Sequence, residues 1–143
     1  MTAPRRPLPQ PTPETQHFWD GTRERELRLQ RCDACGLVYF PPRPFCRSCA
    51  SRSVSVFAAS GRGKLYSYVI SHRAMPGTAF EPPFSIAIVE LEEGPRMMTN
   101  IVDIEQTPEA LQLDMALEVK FEPVSKDITL PLFRPAGAGA QGA

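Results

Sequence analysis

Two Cys-x-x-Cys pairs, Cys32-Asp33-Ala34-Cys35 and Cys46-Arg47-Ser48-Cys49, decide how the rest of the chain is organised. They contain all four cysteines and are separated by ten residues. A tight turn at each pair can present two thiolates to one ion while backbone N–H groups point at the sulfur atoms. Two such knuckles supply four soft ligands, which close a tetrahedral Zn²⁺ site without an open position. The pattern predicts a structural zinc ribbon with Cys32, Cys35, Cys46 and Cys49 as metal ligands.

Other uses of the four cysteines fit this pattern less well. An iron ion in a rubredoxin-like site is the main competitor, because the same four thiolates accept either metal. Disulfides usually accompany a secretory context, which the N-terminus does not offer, and a redox dithiol needs only one Cys-x-x-Cys pair. If zinc takes all four thiolates, no cysteine is left as a nucleophile. The formal net charge of zero then becomes about −2.

Composition and charge limit the remaining possibilities. The 143 residues suffice for one domain or two small ones, and sixteen Lys and Arg residues balance sixteen Asp and Glu residues. This balance gives no overall field for nucleic acid or an anionic membrane. No apolar run approaches the ~20 residues of a membrane span, and the N-terminus lacks the apolar core of a signal peptide. We therefore expect a cytoplasmic protein.

The first 25 residues predict an extended arm followed by a helix. Residues 1–13 contain five prolines and few apolar side chains, so this Pro-rich arm is expected to be disordered. Residues 14–25 form the N-terminal helical segment. Thr12 is suited to cap a helix that has Pro13 at its first position and runs to about Thr22.

From residue 26 onward the pattern predicts β-structure. An alternating strand at residues 26–31 enters the first knuckle, and the zinc ribbon covers residues 26–54 with a hairpin at residues 37–45. Residues 55–135 follow as the second domain, with barrel strands at 64–73, 84–91, 96–102, 116–123 and 128–133 and a helical turn or two at 107–113. This order predicts a mainly β chain with a C-terminal five-stranded OB-fold barrel, or a small open sandwich as the alternative. The Gly- and Ala-rich residues 136–143 are expected to be a flexible tail.

Short motifs around the cysteines make the chain similar to a known family. A Phe-Trp-x-Gly helix leads into Leu-x-Leu-x-x-Cys-x-x-Cys-Gly. The other motifs are Tyr39-Phe40-Pro41-Pro42-Arg43, Gly61-Arg62-Gly63, Tyr66-Ser67-Tyr68, Val89-Glu90-Leu91 and Leu132-Phe133-Arg134-Pro135. From about Glu14 to Pro135 the chain resembles the acyl-CoA-associated zinc-ribbon/OB-fold proteins known as "domain of unknown function" thirty-five. Ala50, where a knuckle glycine is common, is one departure.

The resemblance implies an N-terminal helix, a rubredoxin-like zinc ribbon and a C-terminal OB barrel. Members of this family are accessory subunits or fused domains beside thiolase-like enzymes, which include sterol-carrier-type thiolases and aldolases of lipid or steroid metabolism. Others accompany hydroxymethylglutaryl-CoA synthase-type enzymes or MaoC-like enoyl-CoA hydratases. By this resemblance, the chain would hold structural Zn²⁺, form a hetero-oligomer with a catalytic subunit and help build a site for CoA or acyl-CoA.

The residues themselves predict no catalytic site. The chain has two histidines, His17 and His72, and no G-x-S-x-G nucleophile elbow. A thiolase-type reaction needs an activated cysteine, and the metal would occupy every cysteine. We therefore expect a partner subunit to perform the carbon–carbon bond cleavage or formation, or the hydration.

Candidate CoA contacts are Arg62, Lys64 and Arg73, because cationic side chains bind phosphate and these three lie in or beside a long strand that also carries tyrosines. The simpler interpretation is that the tyrosines pack the barrel and the cations are solvated. On that interpretation, the chain is a purely structural subunit that never touches CoA.

Candidate partner contacts are Trp19, Met75 and Phe80. Trp19, the only tryptophan, can anchor the helix to the body of the protein or to another subunit. Met75 and Phe80 stand in a loop among Gly and Pro, where exposed apolar side chains need a cover. A different class of function, single-stranded nucleic-acid binding, needs aromatic platforms in a basic groove, and the isoelectric point near 6.7 opposes it.

Overall fold

The structure is a computed structural model that describes residues 7–74, 76 and 81–137. Within these ranges the chain forms one helix, α1 (Gln16–Arg23), and eight strands: β1 (Arg28–Cys32), β2 (Val38–Tyr39), β3 (Val54–Ala58), β4 (Arg62–Ser71), β5 (Phe84–Leu91), β6 (Arg96–Thr99), β7 (Ala116–Pro123) and β8 (Thr129–Pro135). The strands pair in two antiparallel sheets, ordered β2-β1-β3 and β6-β5-β4-β7-β8. No helix in the described ranges is long and apolar enough to span a bilayer.

The smaller sheet holds the cysteine knuckles. Strand β1 pairs with β3 along its whole length, from Arg28 opposite Ala58 to Cys32 opposite Val54. On its other side β1 pairs only with the two residues of β2. The predicted hairpin at residues 37–45 is therefore wrong. The three prolines of that segment have no N–H to donate, so the chain leaves the sheet after Tyr39.

The larger sheet curls into a half-barrel, which confirms the predicted OB fold. Its edge strands approach each other where the Thr99 hydroxyl donates to the Pro131 carbonyl at 3.0 Å. Just beyond β6, Ile101 forms a bridge with Phe133 of β8. Between β6 and β7 the predicted helical segment is a single turn, in which the N–H of Leu111 donates to the Thr107 carbonyl at 2.9 Å.

One hydrophobic core joins the two sheets. Leu27 and Leu29, which lead into the first knuckle, belong to the same buried cluster as barrel residues such as Leu65, Val89 and Phe133. Each such side chain contributes about 1.5–3 kcal/mol when fully buried. The cysteine ribbon is thus fixed to the barrel through the base of β1.

Helix α1 begins later than the sequence predicted. Residues 12–15 form a turn in which the N–H of Thr15 donates to the Thr12 carbonyl at 3.0 Å. The N–H of Thr12 donates to the Thr15 hydroxyl at 2.9 Å, so the hydroxyl groups close this turn and neither caps the helix. Thr12 is therefore not the N-cap, and Gln16 is the first helical residue. The predicted domain boundaries stay a prediction.

Candidate functional site

Each cysteine knuckle is closed by the same backbone hydrogen bond. The N–H of Gly36 donates to the Cys32 carbonyl, and the N–H of Ala50 donates to the Cys46 carbonyl, both at 2.9 Å. Gly36 and Ala50 occupy equivalent places with φ of 80° and 62°. A left-handed conformation favours glycine, so Ala50 holds this turn at a small cost in strain. The two knuckles are therefore alike although their sequences differ.

The four sulfur atoms converge on one point. All the Sγ atoms lie within 4.8 Å of one another, with Cys32 to Cys49 at 3.5 Å and Cys35 to Cys46 at 3.6 Å. Four thiolates bound at ~2.3 Å in a tetrahedron are separated by about 3.8 Å. The donor set and the spacing thus fit one Zn²⁺ ion. The four-cysteine cluster supports the predicted structural zinc.

Backbone groups favour ionised sulfur in this cluster. N–H groups of the second knuckle, led by that of Cys49, lower the pKa of Cys46 to about 6. The N–H of Cys35 lowers the pKa of Cys32 in the same way. Although the N–H of Leu37 favours a thiolate at Cys35, the Cys46 thiol beside it and burial raise its pKa to about 12. The four sulfurs cannot all ionise next to one another without a cation, and a divalent ion removes this repulsion.

Hydrogen bonds beyond the sulfur atoms fix the knuckles to the sheet. The Asp33 carboxylate accepts hydrogen bonds from the hydroxyl groups of Ser53 at 3.1 Å and Ser55 at 2.6 Å. The buried Gln30 side-chain oxygen accepts from the N–H of Arg43 at 2.8 Å. These contacts attach the first knuckle to β3 and the segment between the knuckles to β1.

Two of the three predicted CoA contacts line one cavity. Arg62 and Lys64 border a space of about 440 Å³ beside β7. Arg62 is paired with Glu92 at 3.1 Å and Lys64 with Glu90 at 3.5 Å. Arg73 follows the end of β4, and at ~3.3 Å per residue it lies roughly 30 Å along the chain from Lys64. The structure does not bring Arg73 together with the other two.

The predicted partner contacts have different positions. Trp19 is half-buried and packs edge-on against Phe18, with ring centroids 5.0 Å apart. It also borders a groove with Met98 and Leu130. Met75 and Phe80 lie outside the described residues. Partner contact by all three stays a prediction.

The sequence analysis missed an apolar surface on the outside of the barrel. We call it the outer sheet face; its residues are Tyr66, Val69, Ile86, Ile88 and Met98. Val69 lies opposite Ile86, and Ile88 lies opposite Met98, so their side chains share one face of β4, β5 and β6. The exposed fractions are 44% for Tyr66, 61% for Val69, 36% for Ile86 and 68% for Met98.

A signal for this face was present in the sequence. Strand β5 is apolar at nearly every position, and an antiparallel strand that faces water on one side normally alternates. Apolar residues at both alternating positions are typical of a strand that is covered on both faces.

Comparison with known proteins agrees with this architecture. Residues 19–55 match a family model described as the rubredoxin-like zinc ribbon domain of ChsH2, and residues 57–122 match its C-terminal OB-fold domain. A probable enoyl-CoA hydratase alpha subunit from Thermomonospora curvata is 37% identical over 92% of this chain. The chain spans 40% of that protein's length.

In two further comparisons the similar region covers most of this chain and most of the other protein. A DUF35 domain-containing scaffold protein from Methanocaldococcus jannaschii is 37% identical, over 76% of this chain and 77% of that protein. A solved structure of an Ltp2-ChsH2(DUF35) aldolase contains a chain with a TM-score of 0.80 and 35% identity, covering 90% of this chain and 99% of that one. With its zinc-ribbon cysteine cluster and its OB half-barrel, the chain belongs to the DUF35 family.

Proposed function

We propose that this chain is a non-catalytic, zinc-binding accessory subunit of an acyl-CoA-processing complex. Its partner is a thiolase-like enzyme, a thiolase or an aldolase that cleaves or forms a carbon–carbon bond. The similar chain of the Ltp2-ChsH2(DUF35) aldolase supports this class of partner. The chain assembles the complex and borders the site for the CoA thioester.

The outer sheet face is the observation that carries this proposal. Its centre is apolar, and at one end the Arg96 guanidinium stacks 3.7 Å above the centre of the Tyr66 ring. Tyr, Met and Arg are enriched at the buried centres of protein interfaces. A rigid sheet that presents these side chains together is suited to bind the apolar surface of a catalytic subunit.

The described cysteines and His17 are poorly placed for catalysis, which supports this role. The four cysteine sulfurs converge in the cluster that is suited to bind the metal. His17 is half-buried, and its Nε2 atom is enclosed without a hydrogen-bond partner among the described residues. A structural zinc ion with four protein ligands has no open position for substrate. Chemistry therefore belongs to the partner.

A MaoC-like enoyl-CoA hydratase is the second candidate for the partner. The probable hydratase alpha subunit that matches along 92% of this chain favours it. In that case the chain has the same assembling role, and the reaction is hydration of a carbon–carbon double bond.

Affinity purification from the native host tests the proposal. We expect the tagged full chain to retain a thiolase-, aldolase- or hydratase-like subunit, identified by mass spectrometry. Val69→Asp should abolish this retention because it places a charge in the outer sheet face. Leu113→Asp is the matched control, since Leu113 has the same exposed fraction of 61% at another place on the barrel.

Three outcomes would contradict the proposal. The purified chain could carry no stoichiometric enzyme subunit, or it could carry single-stranded nucleic acid in place of one. Equal loss of the enzyme in Val69→Asp and Leu113→Asp would show that the outer sheet face is not a specific part of the interface.

A further inference from the structure

A second cavity lies where the zinc ribbon meets the barrel. It is a groove of about 410 Å³ between the second knuckle and the β5–β6 hairpin. Its lining residues are Phe40, Arg47, Glu90, Gly94, Pro95 and Arg96. We call it the interdomain groove. Its volume lies in the range of small-molecule sites, roughly 300–1,000 Å³.

Arg96 is held in place at this groove. Its Nε atom donates to the Glu90 carboxylate at 3.0 Å, and its Cζ atom lies over the Tyr66 ring, 3.7 Å from the ring centroid. The two terminal nitrogens of Arg96 have no hydrogen-bond partner among the described residues. A guanidinium that is held by the Glu90 carboxylate and the Tyr66 ring offers its remaining N–H groups as a preorganised fork.

Arg47 brings a second guanidinium to the same groove from the ribbon. Among the described residues it forms no ion pair, although Arg62, Lys64, Lys120 and Arg134 each have a carboxylate within 4.0 Å. The charged residues that line the groove are thus two arginines and one glutamate, Glu90, which Lys64 also contacts at 3.5 Å. The lining of the interdomain groove has a net positive charge.

The cavity beside Arg62 and Lys64 differs in this respect. Its two cations are matched by two carboxylates, Glu90 and Glu92, which also line it. A phosphate group would have to displace these ion pairs, whereas in the interdomain groove it would neutralise an excess positive charge. Arginine forks bind phosphate with paired, charge-assisted hydrogen bonds.

We propose that the interdomain groove binds a phosphate-bearing ligand between Arg47 and Arg96. The ligand is either the phosphate end of a CoA thioester or a free phosphate ester. This inference deepens the proposed function, on which the choice of a CoA thioester rests. The inference that the two arginines bind phosphate depends only on the geometry of the groove and not on the proposed function.

Calorimetric titration of the zinc-loaded full chain at low ionic strength tests the groove. The probes are inorganic pyrophosphate, adenosine 3′,5′-bisphosphate and CoA. We expect all three to bind, and Arg47→Ala and Arg96→Ala each to weaken binding by roughly tenfold or more. Similar affinities for the three probes indicate a free phosphate ester, and markedly tighter binding of CoA indicates the thioester.

Arg52→Ala is the matched control, because Arg52 is an exposed ribbon arginine that does not line the groove. Its affinity should equal that of the unchanged chain. Binding that is absent for every probe, or that falls equally in Arg52→Ala, overturns the proposal. Loss of affinity only in Arg62→Ala and Lys64→Ala also overturns it, because the site is then the other cavity.

Arg47 lies next to Cys46, so its charge could serve the zinc centre alone. The zinc content of Arg47→Ala is therefore measured by mass spectrometry beside each titration. If that variant loses zinc, Arg96→Ala decides, because Arg96 is on the barrel. Unchanged affinity in Arg96→Ala refutes the groove, while failure to purify an enzyme partner refutes only the proposed function.

Discussion

Removal of one zinc ligand by Cys35→Ser should unfold the knuckle region and leave the barrel intact. The 21 residues 33–53 bury only two side chains, those of Tyr39 and Cys46. Ordering their backbone costs on the order of 20 kcal/mol, even at ~1 kcal/mol per residue. Burying Tyr39 contributes about 1.5–3 kcal/mol, whereas a structural zinc ion contributes about 10–16 kcal/mol. The metal is thus the largest single stabilising contribution in this segment.

Most of the barrel core lies outside this segment. The buried cluster that contains Leu65, Val89 and Phe133 has no fully buried member among residues 33–53, and only the partly buried Val38 and Phe40 pack against it from this segment. We therefore expect local unfolding of the knuckles and no collapse of the whole chain. The variant should also fail to retain a partner if the ribbon contributes to the interface.

Hydrogen–deuterium exchange with mass spectrometry measures this directly. In Cys35→Ser, amides of residues 33–53 should exchange at nearly the unprotected rate, while peptides from β4, β5 and β8 keep their protection. Zinc should fall from one ion per chain to almost none, and chelation should produce the same pattern in the unchanged chain. Ser48→Ala, in the same ribbon, should keep both zinc and protection. A Cys35→Ser protein with one zinc ion and unchanged exchange would show that the fourth thiolate is not needed to hold this segment.

Other substitutions test the barrel and the helix. Gly63→Ala should lower the free energy of unfolding by about 2–3 kcal/mol, because its Cβ would lie 2.6 Å from the Glu90 carbonyl oxygen in the sheet. Gly94→Ala is its control and should cost only about 1–2 kcal/mol, since nothing lies within 4 Å and its φ of +112° is the only strain; a larger loss at Gly94 than at Gly63 in urea unfolding contradicts this. Phe133→Ala should cost about 3–5 kcal/mol in the same assay, because its side chain is fully buried, and a loss below ~1 kcal/mol would place it outside the core. Burial, with help from Arg28, lowers the pKa of His17 below its usual 6.5, because the folded state favours the neutral imidazole. The free energy of unfolding should therefore be highest above pH 6.5 and should decrease as the pH falls from 6.5 through the lowered pKa. An NMR titration that returned a His17 pKa of 6.5 or higher would contradict that prediction.

The sequence predicted the four-cysteine cluster well because the pattern that determines it is local. Two Cys-x-x-Cys pairs determine both the ligands and the tight turns that present them. Alternation in the strands also predicted the barrel, since inward side chains such as Leu65 and Phe133 repeat with the period of the sheet. The beginning of α1 was missed because Thr12 and Thr15 hydrogen-bond to each other, a choice that capping preference alone does not reveal.

Surface sites were harder to predict because they depend on distances between strands. Arg62, Lys64 and Arg73 are near in sequence, but an extended strand separates the last from the first two. Arg47 and Arg96 are far apart in sequence and line one groove only because the ribbon packs beside the β5–β6 hairpin. No local sequence pattern predicts how the ribbon packs against the hairpin.

Reconstitution of activity is the decisive experiment for the accessory role. This chain, the catalytic subunit recovered with it and the two together are assayed for turnover of an acyl-CoA thioester. The accessory role predicts no turnover by this chain alone, weak turnover or poor stability of the isolated partner, and full activity only when both are present. Turnover by this chain alone, or full activity of the partner without it, would contradict that role.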